Sequence, residues 1–237
     1  RFKPPDHVFI PDLPSGRPPI ISVPTTMGGA ELTRGGGGLT DKSQGRKVLM
    51  SGKGAGHKAV IVDGKALATT PMPILVSTAI GQLRIAIESV YSRTHHPIAD
   101  AFGLHAIDGL MRYLPGCPER DLDCLLNTKT AALLAALAGA AGLGLNTAMA
   151  HQTGALYRVN HGEANAILLP HTMRYNLDAS AGRQALIAEA MGIDTRGMSD
   201  EDAGLAAADE VDRLCRQLKI PATLREVGVP EEGLELI

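Results

Sequence analysis

The constraint that narrows the fold most is a succession of helical patterns that begins after Pro71 and runs almost to the end of the chain. Residues 77–92 (STAIGQLRIAIESVYS) place apolar residues at helical spacing, with Ser77 expected as the N-cap. HPIADAFGLHAIDGLMRYLP (96–115) predicts a second helix, starting near Pro97 and stopping at Pro115. DLDCLLNTKTAALLAALAGAAGLGL (121–145) predicts a long Ala/Leu helix ending in glycines. NAILLPHTMRYN (165–176) starts helical with Pro170 and His171 inside it, and SAGRQALIAEAMG (180–192) ends at Gly192. SDEDAGLAAADEVDRLCRQLKI (199–220) is amphipathic and capped by Ser199, with Asp202 three residues on. A turn–helix unit follows from Ile220.

The β signals lie earlier. IISVP (20–24), KVLMSG (47–52) and KAVIVDG (58–64) read as short strands, the last closed by Asp63-Gly64 turn chemistry. GGGG at 35–38 reads as a loose loop or hairpin. The expected division is therefore an α/β piece over 1–71 and an all-α helical-bundle domain over 72–237. RFKPPDHVFIPDLPSGRPP is a proline-rich opening without an initiator Met, which reads as part of a longer protein.

Composition removes several classes of function. Lys plus Arg is 23 and Asp plus Glu is 25, so neither sign favours nucleic acid or a membrane surface. Aromatic residues make up 3% and Trp is absent, which argues against base-stacking platforms. Cys117, Cys124 and Cys215 are too scattered for a disulfide framework or a zinc knuckle and fit a reducing, cytoplasmic setting. The apolar run over 131–145 reads as too short to span a bilayer comfortably.

The chemistry-bearing stretch is 146–165, NTAMAHQTGALYRVNHGEAN, with His151 and His161 among small residues. Taken alone, each histidine is a metal ligand, a proton-transfer group or a packed structural residue. Arg84 and Glu88 are spaced i, i+4 and read as a solvated pair, with Arg84 a lesser candidate for a substrate carboxylate. Glu163 and Asn165 read as helix caps or cleft residues, and Arg158 as solvent-exposed.

Several ordered stretches together resemble the iron-containing (group III) alcohol dehydrogenase family, including its maleylacetate reductase branch. They are VPTTMGGAELT (23–33), GLTDKSQGRK (38–47), AVIVDG (59–64), STAIGQLRIAIESVYS (77–92), HPIADAFGLHAI (96–107) and the long run 142–176. The resemblance implies a dehydroquinate-synthase-like architecture, in which an α/β domain binds NAD or NADP and a helical domain holds the catalytic site. It implies that Thr25 and Thr26 approach the cofactor, and that the first nucleotide-binding units would precede Arg1. MGGAE after the threonines is one residue shorter than the usual alcohol dehydrogenase form and looks more like the maleylacetate reductase branch.

The resemblance also implies four metal-ligand positions, which fall on Gly81, Ile85, Thr147 and His161. Only His161 is a competent ligand, and one histidine cannot hold a divalent ion where three or more ligands are normally needed. The expectation is thus a metal-independent reductase of a small carbonyl or enoate substrate. His151 would donate a proton to the carbonyl oxygen and His161 would add a hydrogen bond. A non-catalytic homologue acting as a structural or regulatory partner is the alternative, and a lyase or hydratase is a weaker one. A homodimer is expected from the resemblance.

Overall fold

The computed structural model describes residues 8–9, 18–32, 36–41, 46–51, 56–142 and 144–237. The expectations that fall on residues 1–7, 10–17, 33–35, 42–45 and 52–55 and on Leu143 lie outside the described residues.

Among the described residues, five short strands precede the α-helices. β1 (Val8–Phe9), β3 (Gly36–Asp41) and β4 (Arg46–Ser51) form one sheet in the order β1-β4-β3, with β1 parallel and β3 antiparallel to β4. The register runs from Gly36 opposite Ser51 to Asp41 opposite Arg46, so Gly36–Gly38 are strand residues in a hairpin and not a loose loop. β2 (Ile21–Ser22) and β5 (Ala59–Val60) pair in parallel, and Lys58 N and Ile61 N donate to Ile20 O and Ser22 O at 2.8 Å. Asp63-Gly64 does not close a turn. Asp63 is the N-cap of α1 (Gly64–Ala68), accepting from Lys65 N at 2.8 Å, because an Asx oxygen satisfies a free first-turn amide.

Helix α2 (Met72–Tyr91) begins behind Pro71, five residues before Ser77. Pro71 and Pro73 suit the start of a helix, where the missing amide N–H has no partner to lose. Ser77 is instead buried within the helix, its hydroxyl donating to Ile74 O at 3.2 Å. α2 is apolar on nearly all sides because it is enclosed by α3 (Pro97–Tyr113), α4 (Leu122–Ala138), α6 (His161–Tyr175) and α7 (Leu177–Ala190). Both α2 and the helical span Leu122–Ala141 have the length and apolarity to cross a bilayer, so the apolar stretch is longer than the sequence indicates. α2 spends that apolarity on the bundle core.

Local caps set the other helices. His96 Nδ1 accepts from Ala99 N at 3.3 Å ahead of Pro97, and Asp121 accepts from Cys124 N at 2.7 Å. Ser199 accepts from Asp202 N at 3.1 Å at the start of α8 (Asp200–Gln217), whose first turn carries three acidic residues. Gly192, at φ 82°, ends α7, and Ile193 N donates back to Ala188 O across the turn. Small residues let helices approach closely. A methyl at Gly109 would lie 2.8 Å from Ala131 Cβ, which is how a core with few aromatics is packed.

Pro170 sits inside α6 without ending it. A proline there leaves the carbonyl four residues earlier without its helical donor. That carbonyl, Ala166 O, receives the Cys215 thiol of α8 at 4.0 Å, a weak substitute. C-terminal to α8 the structure forms a 3-10 turn over Glu231–Leu236.

Candidate functional site: two histidines beside a buried ion pair

Helix α5 (Leu145–Tyr157) carries Thr147 and His151 one turn apart, on one face. It ends at Arg158, which is exposed and adopts the left-handed conformation at φ 58°. The reversal starts α6 at His161, where Asn160 Oδ1 accepts from Gly162 N at 2.8 Å and Glu163 N at 3.4 Å. Two histidines ten residues apart in sequence thus come together, with ring centroids 5.3 Å apart and planes inclined by 32°. Both side chains are exposed to solvent and so accessible to a substrate.

The seam beneath them depends on Gly162. A Cβ there would lie 2.5 Å from Ser77 O and 2.6 Å from Ser77 C, both backbone atoms of α2. Gly162→Ala is expected to push α6 off α2 and cost about 1–3 kcal/mol, the usual range for overpacking. Urea denaturation checks the loss, and an unchanged midpoint would show that the helices can part without penalty.

The four positions at which the resemblance places metal ligands are now visible. Gly81 is buried, yet among the described residues nothing lies within 4 Å of the position a Cβ would take. Ile85 points a methyl carbon at Gly139, 2.9 Å from where a Cβ would stand. The Thr147 hydroxyl is already engaged. It donates to Glu88 Oε2 at 2.5 Å and accepts from Arg84 Nη1, while Thr147 N donates to Glu88 Oε1 at 3.4 Å. Among the described residues, no three His, Cys, Asp or Glu side chains gather where they could hold a metal ion. Of the four positions, only His161 carries a side chain of the usual metal-ligand types.

Arg84 and Glu88 do not form the solvated pair expected from their spacing. They are 4% and 1% exposed, and Arg84 Nη1 lies 3.3 Å from Glu88 Oε2. Burial lowers the pKa of the Arg84 guanidinium, and Glu88 opposes that shift. Gly144 is required by this carboxylate, since a Cβ there would stand 2.5 Å from Glu88 Oε1.

Thr25 and Thr26 lie on the loop after β2. Thr25 is exposed, and its carbonyl accepts from the Thr70 hydroxyl at 2.5 Å. Thr26 Oγ1 accepts from Gly28 N at 3.4 Å, closing its own turn. Met27 N donates to Thr78 Oγ1 of α2 at 3.2 Å. Lys129 of α4, fully buried, donates to Gly28 O and to the Glu31 carboxylate. A buried lysine thus fastens the threonine loop to the bundle. The apolar face of α4 gives no sign of it in sequence, because the partners lie about a hundred residues away.

The remaining candidates resolve into structural roles. Asn165 is buried and donates to His161 O at 2.6 Å, and Asn146 donates to Asn165 O at 3.1 Å, so Asn165 neither caps a helix nor lines the cleft. Glu163 does not cap either. It lines a separate cavity of about 380 Å³ with Met72, Val76, Ser77, Leu218 and Ile220. Burial raises the pKa of the Cys117 thiol to about 11 and that of Cys215 to about 12, so neither offers a thiolate near neutral pH.

Comparison with known proteins agrees with this architecture. The family model described as Fe-containing alcohol dehydrogenase family, C-terminal, matches residues 75–237. The chain is 38% identical over 229 residues to 1,3-propanediol dehydrogenase of Citrobacter freundii, covering 95% of this chain and 59% of that protein. A crystal structure of 1,3-propanediol oxidoreductase superimposes with TM-score 0.89 at 35% identity, covering 95% of this chain and 60% of the other. Sulfoacetaldehyde reductase from Bifidobacterium kashiwanohense in complex with NAD+ superimposes with TM-score 0.81 at 28% identity, covering 94% and 58%. The chain therefore spans about three-fifths of the length of the relatives it matches.

Proposed function

Because this chain belongs to the iron-containing alcohol dehydrogenase family, we propose that it is the catalytic part of an NAD(P)-dependent oxidoreductase that reduces a small carbonyl or enoate substrate without a metal ion. In this reading residues 1–71 end a nucleotide-binding domain and 72–237 form the helical catalytic domain. The observation that carries the proposal is the exposed His151–His161 pair on the wall where α5 meets α6. Relatives named as a propanediol dehydrogenase and as a reductase bound to NAD+ support the redox class.

Bound nicotinamide supplies hydride. The chain's own groups do the rest. The exposed Thr25 hydroxyl and the backbone around Thr26, braced by Thr70, Thr78 and Lys129, give the cofactor a rigid polar edge. His151 holds a proton at the substrate oxygen and releases it as negative charge develops there. His161, across a 5.3 Å ring separation, adds a second hydrogen bond to that oxygen. A cytoplasmic homodimer that binds neither nucleic acid nor membrane completes the reading.

The test is turnover by the protein, at the full length its gene encodes, after exhaustive chelation. NADH or NADPH is supplied with short aldehydes and with maleylacetate, and loss of reduced nicotinamide is followed. Turnover that survives chelation is expected. Turnover that disappears and returns with added metal would overturn the metal-independent part. No turnover and no thermal shift with either cofactor would instead favour a non-catalytic homologue. The exposed apolar residues Ile21, Val23 and Ile61 along β2 and β5 would then be the natural place for a partner.

A further inference from the structure

The wall of the cleft one turn before His151 is charged, although no exposed surface reveals it. Arg84 and Glu88 are buried, and Thr147 joins them: Arg84 donates to its hydroxyl, and that hydroxyl donates to Glu88. A buried guanidinium is retained only where its charge is paired and its donors are mostly satisfied. Here the buried Arg84 Nε has no acceptor among the described residues. Three residues earlier on the same helix, Gly81 leaves open space beside the guanidinium's own turn. A cation, its counter-charge and a hydroxyl thus meet between α2 and α5 at Thr147, one of the four ligand positions that the resemblance implies.

We infer that Arg84 is the resident cation of this cleft. Its guanidinium fills the space in which a divalent ion would sit and, through Thr147, holds α2 to α5 in that ion's place. The inference rests on the metal-independent reading above and adds a cause to it. The ion is excluded by the positive charge of Arg84 as well as by missing ligands. Neither statement requires the protein to turn over a substrate.

The test restores ligands and counts metal. Gly81→Asp, Ile85→His and Thr147→His are combined, once with Arg84 intact and once with Arg84→Ala. Each protein is equilibrated with zinc and desalted, and bound zinc is measured. With Arg84 in place, uptake below about a tenth of an equivalent is expected. With Arg84→Ala, it should rise to about one equivalent, since four protein ligands then surround an unopposed site. One equivalent in both proteins, or none in either, overturns the inference.

Circular dichroism melts show whether the combined variants fold. If they do not, Arg84→Ala alone decides the matter. Its unfolding temperature should fall, then recover with millimolar methylguanidinium and not with the same concentration of sodium. Failure to recover overturns the inference. Because no readout depends on nicotinamide, failure of the oxidoreductase reading is separable from failure of this one.

Discussion

Replacing His151 with glutamine is expected to lower kcat for carbonyl reduction by about 10²–10⁴-fold, the range general acid catalysis normally contributes. Glutamine keeps a hydrogen-bond donor and much of the volume but cannot release a proton. His151 is exposed, so the change removes little packing, and the unfolding temperature should barely move. KM for the nicotinamide should also hold, because the threonine loop is anchored elsewhere, to Thr70, α2 and α4. His161→Gln should cost less, since it keeps the hydrogen bond assigned to that side chain. A His151→Gln protein within about threefold of the parent would remove His151 as proton donor, because no general acid of the usual strength could be lost so cheaply.

The second large effect is on stability. Glu88→Gln should destabilise the fold by about 3–5 kcal/mol, the cost of leaving one member of a buried ion pair without its partner. Glutamine can still meet the Thr147 hydroxyl and amide, so shape and most hydrogen bonds survive. What disappears is the charge that compensates Arg84, which is 4% exposed. Pairing Glu88→Gln with Arg84→Met should recover much of the loss, since removing both charges of a buried pair costs less than removing one. Urea denaturation of the two single variants and the double variant closes the cycle. A Glu88→Gln loss below about 1 kcal/mol would mean that water reaches the pair and screens it.

Much of this protein is legible from local pattern. The Pro97 and Asp121 starts, the Ser199 cap and the Gly192 stop all appear where sequence alone puts them, because caps and prolines act within one or two turns. Where sequence and structure differ, one local signal is outweighed by a stronger one. Ser77 has the chemistry of a cap, but Pro71 and Pro73 start α2 earlier. Asp63-Gly64 has the composition of a turn, but the aspartate caps a short helix. Four glycines suggest a loop, but partner strand β4 gives three of them a ladder. Glu163 and Asn165 suit caps because they flank a helix start, and Asn160 takes that role instead.

The site divides along the same line. The periodicity and end signals of the chain determine by themselves that it is mainly helical, and its ordered motifs determine the family. The resemblance those motifs carry also makes His151 and His161 the candidate pair, which spacing alone would not do. Only the tertiary structure decides that Arg84 and Glu88 are buried and that their third partner is Thr147, some sixty residues further along. Only it places Lys129 under the threonine loop. An i, i+4 pair of opposite charges looks the same in sequence whether water or another helix lies over it. The charge pattern of α2 is a property of α2 alone, whereas burial of that charge is a property of what packs against it.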